Sequence, residues 1–200
     1  MASEISISNM ALSHIGQSKA IQSFDENSTA ALQCSAFYEH ARDVLLSEYP
    51  WLFAKQQLSI ALSGKAPSGW AYQYALPINC LNPLKIYNPI SDLDKDKIPF
   101  ERRISTDGKT QVIVTNKEQA ELIFTQKVES VNLMPDYFII ALSYKLATYI
   151  AGPITKNDQK VVNKATSDYY RALAAATGVD AQAFYKAPKE QSDAHSARMS

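Results

Sequence analysis

The chain has little of what most enzyme chemistry is built on. Its 200 residues include only two cysteines and three histidines. Two thiols cannot make a four-thiolate zinc site, and His14, His40 and His195 lie far from metal-ligand spacing, so neither metal nor cofactor is expected. Cys34 and Cys80 sit among apolar neighbours and read as small buried thiols, as expected for a chain that folds in a reducing cytoplasm. None of the six glycines belongs to a phosphate-cradling loop: Gly64 and Gly69 lie in a turn without the following helix that anion binding requires. No serine occupies a nucleophile-elbow pattern. Excess charge is missing as well, with 20 Lys+Arg against 20 Asp+Glu. Gripping DNA through many phosphates normally needs a basic excess or stripe, so tight DNA binding is disfavoured, while a neutral wall that DNA slides past is compatible. No basic-then-apolar leader is recognised, and no apolar run approaches the ~20 residues that span a bilayer, so no membrane partner is expected.

What is present is a frame of helix, strand and helix. Ser6 or Ser8 can cap a short helix carrying Ile7, Met10, Ala11, His14 and Ile15, with Gly16 as its stop. His14 on that apolar face reads as a hydrogen-bonded packing residue. Ser28 starts the clearest helix: Ala31, Cys34, Tyr38, Ala41, Leu45 and Tyr49 follow three-four spacing, and Pro50 ends it. Beyond Trp51 the period changes to two. Phe53 to Leu62, the Trp70–Tyr72–Tyr74 alternation, Leu84 to Tyr87, Phe100 to Ile104, Gln111 to Thr115 and Glu121 to Val128 read as strands of one small, mostly antiparallel sheet. Gly64 to Gly69 and Thr106 to Lys109 are turn chemistry.

Pro135 opens a third helix with a stripe of Phe138, Ala141, Leu142, Lys145, Leu146, Tyr149 and Ile150. Its other face is also apolar, through Ile139, Ile140 and Tyr144, and Gly152-Pro153 closes it. A fourth helix runs to Ala176 with Gly178 as its cap. The expected class is α+β: a helical bundle of N- and C-terminal helix pairs with an inserted, mostly antiparallel β-sheet. The expected segments are 1–50, a β-rich insertion at 51–132, a second helix pair at 133–178 and an extended tail at 179–200. That tail has almost nothing apolar beyond Phe184 and Tyr185, and should not order by itself.

Two constellations admit a chemical reading. Asp25 and Glu26 could act as an acid/base couple of a polysaccharide hydrolase, although adjacent loop residues usually point apart. Trp51, Trp70, Tyr72 and Tyr74 could stack bases or sugars, but core or interface packing is the simpler expectation.

Several segments, taken in order, resemble a known family. Asn9-Met10-Ala11-Leu12 with Ile15-Gly16 precedes Ser23-Phe24-Asp25-Glu26-Asn27-Ser28, then Ala31, Cys34, Tyr38, Ala41-Arg42-Asp43 and Tyr49-Pro50-Trp51. Gly69-Trp70-Ala71-Tyr72-Gln73-Tyr74, Leu76-Pro77 and Cys80-Leu81 come next, followed by Leu133-Met134-Pro135, Phe138, Ala141-Leu142, Leu146-Ala147 and Gly152-Pro153-Ile154-Thr155. Up to about Ala176 the chain is similar to the tail tubular protein A group of short-tailed bacteriophages, also described as head-to-tail adaptors or gatekeepers. The resemblance implies a non-enzymatic virion protein, assembled in the host cytoplasm. It implies a homo-oligomeric ring, usually twelvefold, that joins the portal to a nozzle protein of the tail tubular protein B type. Tail fibres are a further candidate contact, and DNA would pass through the lumen without specific binding. Carboxy-terminal segments of such adaptors dock on the portal, which suggests Phe184 and Tyr185 as apolar anchors and Lys186 and Lys189 as polar contacts. For the subunit interface the expected residues are Ile139, Ile140 and Tyr144, with Glu39, Arg42 and Asp43 fixing register.

Overall fold

In the computed structural model the described residues are 2–90 and 96–185, the side chains of Phe184 and Tyr185 excepted. The chain is α+β, with four helices and two small antiparallel sheets. Helix α1 spans Glu4–His14. Its cap is Ser3 rather than Ser6 or Ser8: the Ser3 hydroxyl accepts from Ser6 N–H at 3.1 Å while Ser6 Oγ accepts from Ser3 N–H at 2.8 Å. Serine thus plays the part that Glu or Gln usually plays in a reciprocal cap. Helix α2, Thr29–Glu48, starts at Ser28, whose hydroxyl takes Ala31 N–H, and buries Ala31, Cys34, Tyr38, Ala41, Arg42, Leu45 and Leu46. Arg42 therefore lies on the apolar stripe.

Trp51 follows as the pivot into the β region. It is fully buried, donates its indole N–H to Leu45 O at 2.8 Å and meets Phe138 edge-on. A 3₁₀ turn at Leu52–Ala54 leads into β1 (Lys55–Ser59), then β2 (Tyr72–Ala75), β3 (Cys80–Ile86), β4 (Phe100–Ile104), β5 (Gln111–Thr115) and β6 (Glu121–Gln126). These strands make two three-stranded sheets, β1-β6-β3 and β2-β5-β4, instead of the single sheet expected. Irregular register in β3, around Cys80–Asn82 and Pro83–Lys85, bends that strand, as bulges and an edge proline do. The sheets are joined at both seams by bridges, Leu62 to Tyr74 and Ile86 to Ile98. They close around a core of their own, built on Tyr74, Ile86, Ile113, Leu122 and Phe124. Tyr74 is fully inside and donates its hydroxyl to Lys117 O, so this rung of the aromatic ladder is packing.

A second, larger core is drawn from all four helices. Helix α3, Asp136–Ile154, lies between the others, in contact with α1, α2 and α4. It is long and apolar enough to cross a membrane by length and composition, which the sequence expectation did not anticipate. Here about half of it is buried among the other helices and the rest, Ile140 included, stays at the surface. Pro153 falls inside its last turn rather than ending it, and Lys156 and Asn157 then take left-handed backbone to reverse the chain. Helix α4, Gln159–Tyr185, runs straight through Gly178, the expected cap, into the segment expected to be an extended tail. The reason is Asp180. Its buried carboxylate accepts from Leu52 N–H at 3.0 Å and from the Tyr137 hydroxyl at 2.6 Å, tying the last turns of α4 to α3 and to the 3₁₀ turn.

Candidate subunit interface beside the central helix

Between α1 and α4 the central helix is left partly uncovered. Ile140, 46 % exposed, and Tyr144 lie at successive turns of α3, and face Asp168, Arg171 and Ala172 of α4 across an open slot of about 350 Å³. The end of α1 packs against Tyr144 beside the slot. The His14 ring stacks flat on Tyr144, centroids 3.7 Å apart, and its Nε2 meets the Ser143 hydroxyl at 3.0 Å. His14 is thus the hydrogen-bonded packing residue expected. Burial, together with the Lys164 ammonium opposite, holds its pKa below the ordinary histidine value, against the pull of Asp168.

The rim of the slot is charged. Asp168 bonds Lys164 one turn before it and approaches Arg171 at 3.5 Å one turn after. The bonded Lys164 holds the Asp168 carboxyl below its usual range. Along this edge of α4 one carboxylate thus meets two cations, of which Arg171 lines the slot.

The residues expected at the interface separate in the structure. Ile140 and Tyr144 share the slot, and Glu39 is exposed on α2. Two expectations are corrected. Ile139 is only 7 % exposed and belongs to the helical core, because α3 is enclosed on three sides rather than one. Arg42 is 2 % exposed, so it is not a surface register charge; its Nε donates to Asp43 at 2.8 Å, and its Nη2 has no partner among the described residues. Asp43 is half-buried beneath it and also faces Lys127 of the segment after β6, at 3.6 Å. That pair belongs to the junction of helices and sheets. Of the expected docking residues, Phe184 and Tyr185 have backbone in the last turn of α4 with side chains outside the described residues, where Lys186 and Lys189 also fall.

The acidic pair of the hydrolase reading serves its own loop. Glu26 Oε1 accepts from the backbone N–H groups of Gln22 and Ser23, and the Asp25 carboxylate meets the Ser23 hydroxyl at 3.4 Å. A depression of about 400 Å³ lies between the turn holding Ser63, Lys65 and Ala66 and the one holding Ser105, Asp107 and Thr110, with Gln73 beside them. Several of its polar groups bond one another: Gln73 to Ser63 O, Ser105 to Asp107, and Thr110 to Ser105. Among the described residues no cluster of three or more His, Cys, Asp or Glu side chains has metal-binding geometry. A scan against protein-family models and a search of curated proteins each return no match.

Proposed function

We propose that this protein is a structural head-to-tail adaptor of a short-tailed bacteriophage, acting as a closed homo-oligomeric ring between the portal and the tail nozzle. The observation that carries the reading is the slot beside α3, where a central apolar helix keeps an exposed isoleucine and a half-covered tyrosine between charged walls. Such a face suits repeated subunit contacts better than a substrate, since it is an open slot with an exposed apolar floor rather than an enclosed pocket. The ordered segments that resemble tail tubular protein A supply the identity of the ring, and the balanced charge suits a lumen that must let DNA pass. On this reading Phe184, Tyr185, Lys186 and Lys189 are the residues that dock on the portal. Electron microscopy of the full-length protein, alone and mixed with its portal, is the test. Closed rings in either sample support the adaptor; a protein that stays monomeric in both is no adaptor. Truncation after Gln182 should leave rings intact while abolishing attachment to portal particles.

A further inference from the structure

We propose that copies of this chain join head to tail, the outer stripe of α2 in one copy seating in the α3–α4 slot of the next. This rests on the ring reading above and names the two faces that meet. The slot offers an apolar floor, Ile140, Tyr144 and Ala172, beside an edge of α4 where Lys164 and Arg171 are 67 % and 79 % exposed and the Asp168 between them only 20 %. The stripe offers the complement. Leu32 is 57 % exposed, which is unusual for a leucine on a well-packed helix, and Ala36 and Glu39 follow it at helical spacing, both exposed. Arg42, the cation nearest to Glu39 in sequence, turns inward onto Asp43 and leaves this face acidic.

Leu32 therefore supplies an apolar knob for the floor, and Glu39 an anion for the rim. The small side chains of Ala36 and Ala172 permit helix axes to approach near the lower end of the usual range of about 8–10 Å. The stripe and the slot are different patches, so the contact is heterologous. Such contacts propagate in one direction and end only by closing a ring.

Paired cysteines test the geometry in the full chain, because native Cys34 and Cys80 are both buried. Under mild oxidation, protein carrying A36C and A172C together should give a ladder of disulfide-linked oligomers. Protein with either change alone should stay uncrosslinked. Crosslinked dimers from A36C alone would mean a two-fold contact and overturn the proposal. Charge reversal gives a second readout: E39R or R171E should weaken association about tenfold, and E39R/R171E together should recover most of it. Rings that form in the wild type yet show neither the ladder nor the recovery refute this pairing of faces while leaving the adaptor standing. Absence of any oligomer, alone or with portal, removes the adaptor and this proposal with it.

Discussion

Replacing Asp180 with alanine should destabilise the protein by about 2–3 kcal/mol, out of all proportion to a residue near the end of the chain. The carboxylate is fully buried, and takes Leu52 N–H through both oxygens and the Tyr137 hydroxyl through one. Removing it leaves two donors without an acceptor. Each buried donor so orphaned costs about 1–3 kcal/mol, and the lower end applies because Leu52 and Tyr137 are only partly buried and can recruit water. The loss should concentrate beyond Gly178, since glycine inside a helix already costs about 1 kcal/mol relative to alanine and Asp180 is the tie that offsets it.

Urea unfolding of wild type, D180A, Y137F and the double variant closes a thermodynamic cycle, and a coupling of about 1 kcal/mol is expected. Hydrogen exchange should show faster opening from residue 178 to 185 with little change in α2. The reasoning is refuted if D180A costs under about 0.5 kcal/mol and protection past Gly178 is unchanged.

Three further outcomes follow from buried ionisable groups. Burial raises the pKa values of Tyr38, Tyr137 and Tyr169 above the ordinary value, reinforced at Tyr137 by Asp180 and at Tyr169 by Glu48. Above pH 10 the unfolded chain therefore holds fewer protons than the folded one, and stability should fall with rising pH by up to about 1.4 kcal/mol per pH unit per tyrosine; phenolate absorbance should show these three ionising only as the protein unfolds. Burial likewise pushes Cys34 and Cys80 up to about 11, so both thiols should resist a thiol reagent at neutral pH and react promptly in denaturant. Glu48 accepts from Lys145 Nζ at 2.6 Å and from the Tyr169 hydroxyl, so E48A should cost about 2 kcal/mol in urea unfolding by stranding a buried ammonium, while K145M/E48L should recover most of that.

Helix α2 was legible because every signal agreed: a serine cap, three-four spacing and a terminating proline. Arg42 was misplaced although the spacing put it on the edge of the stripe, one residue after Ala41 and four after Tyr38; its charge outweighed its position. The second apolar face of α3 is plain in the sequence, but which of its residues the other helices cover is not: Ile139 falls in the helical core and Ile140 outside it. The extension of α4 was hidden because a glycine followed by sparse apolar residues looks like an ending, and the carboxylate that prevents the ending finds its partners 43 and 128 residues away. The slot was half legible. The Lys164–Asp168–Arg171 spacing is visible in sequence, but its apposition to His14 and Tyr144 depends on how three helices meet.

The root of the β region decides how its contacts relate to those of the helices. Lys55 pairs with Thr125 across the first and last strands, so the insertion leaves and re-enters the helical unit at one place. Two polar ties cluster around that root: the Arg42–Asp43–Lys127 charges on one side, and Asp180 holding Leu52 N–H on the other. The sheets' own core, around Tyr74, Ile113, Leu122 and Phe124, is separate from the helical one, which only Leu81 of β3 touches from the described strands. On the proposed reading, both faces that join copies belong to helices, and the β unit is held by its root rather than by the ring contact. The unit can then meet a different partner, such as the nozzle, without that contact competing for the surface that closes the ring, and substitutions on its far turns leave ring closure untouched.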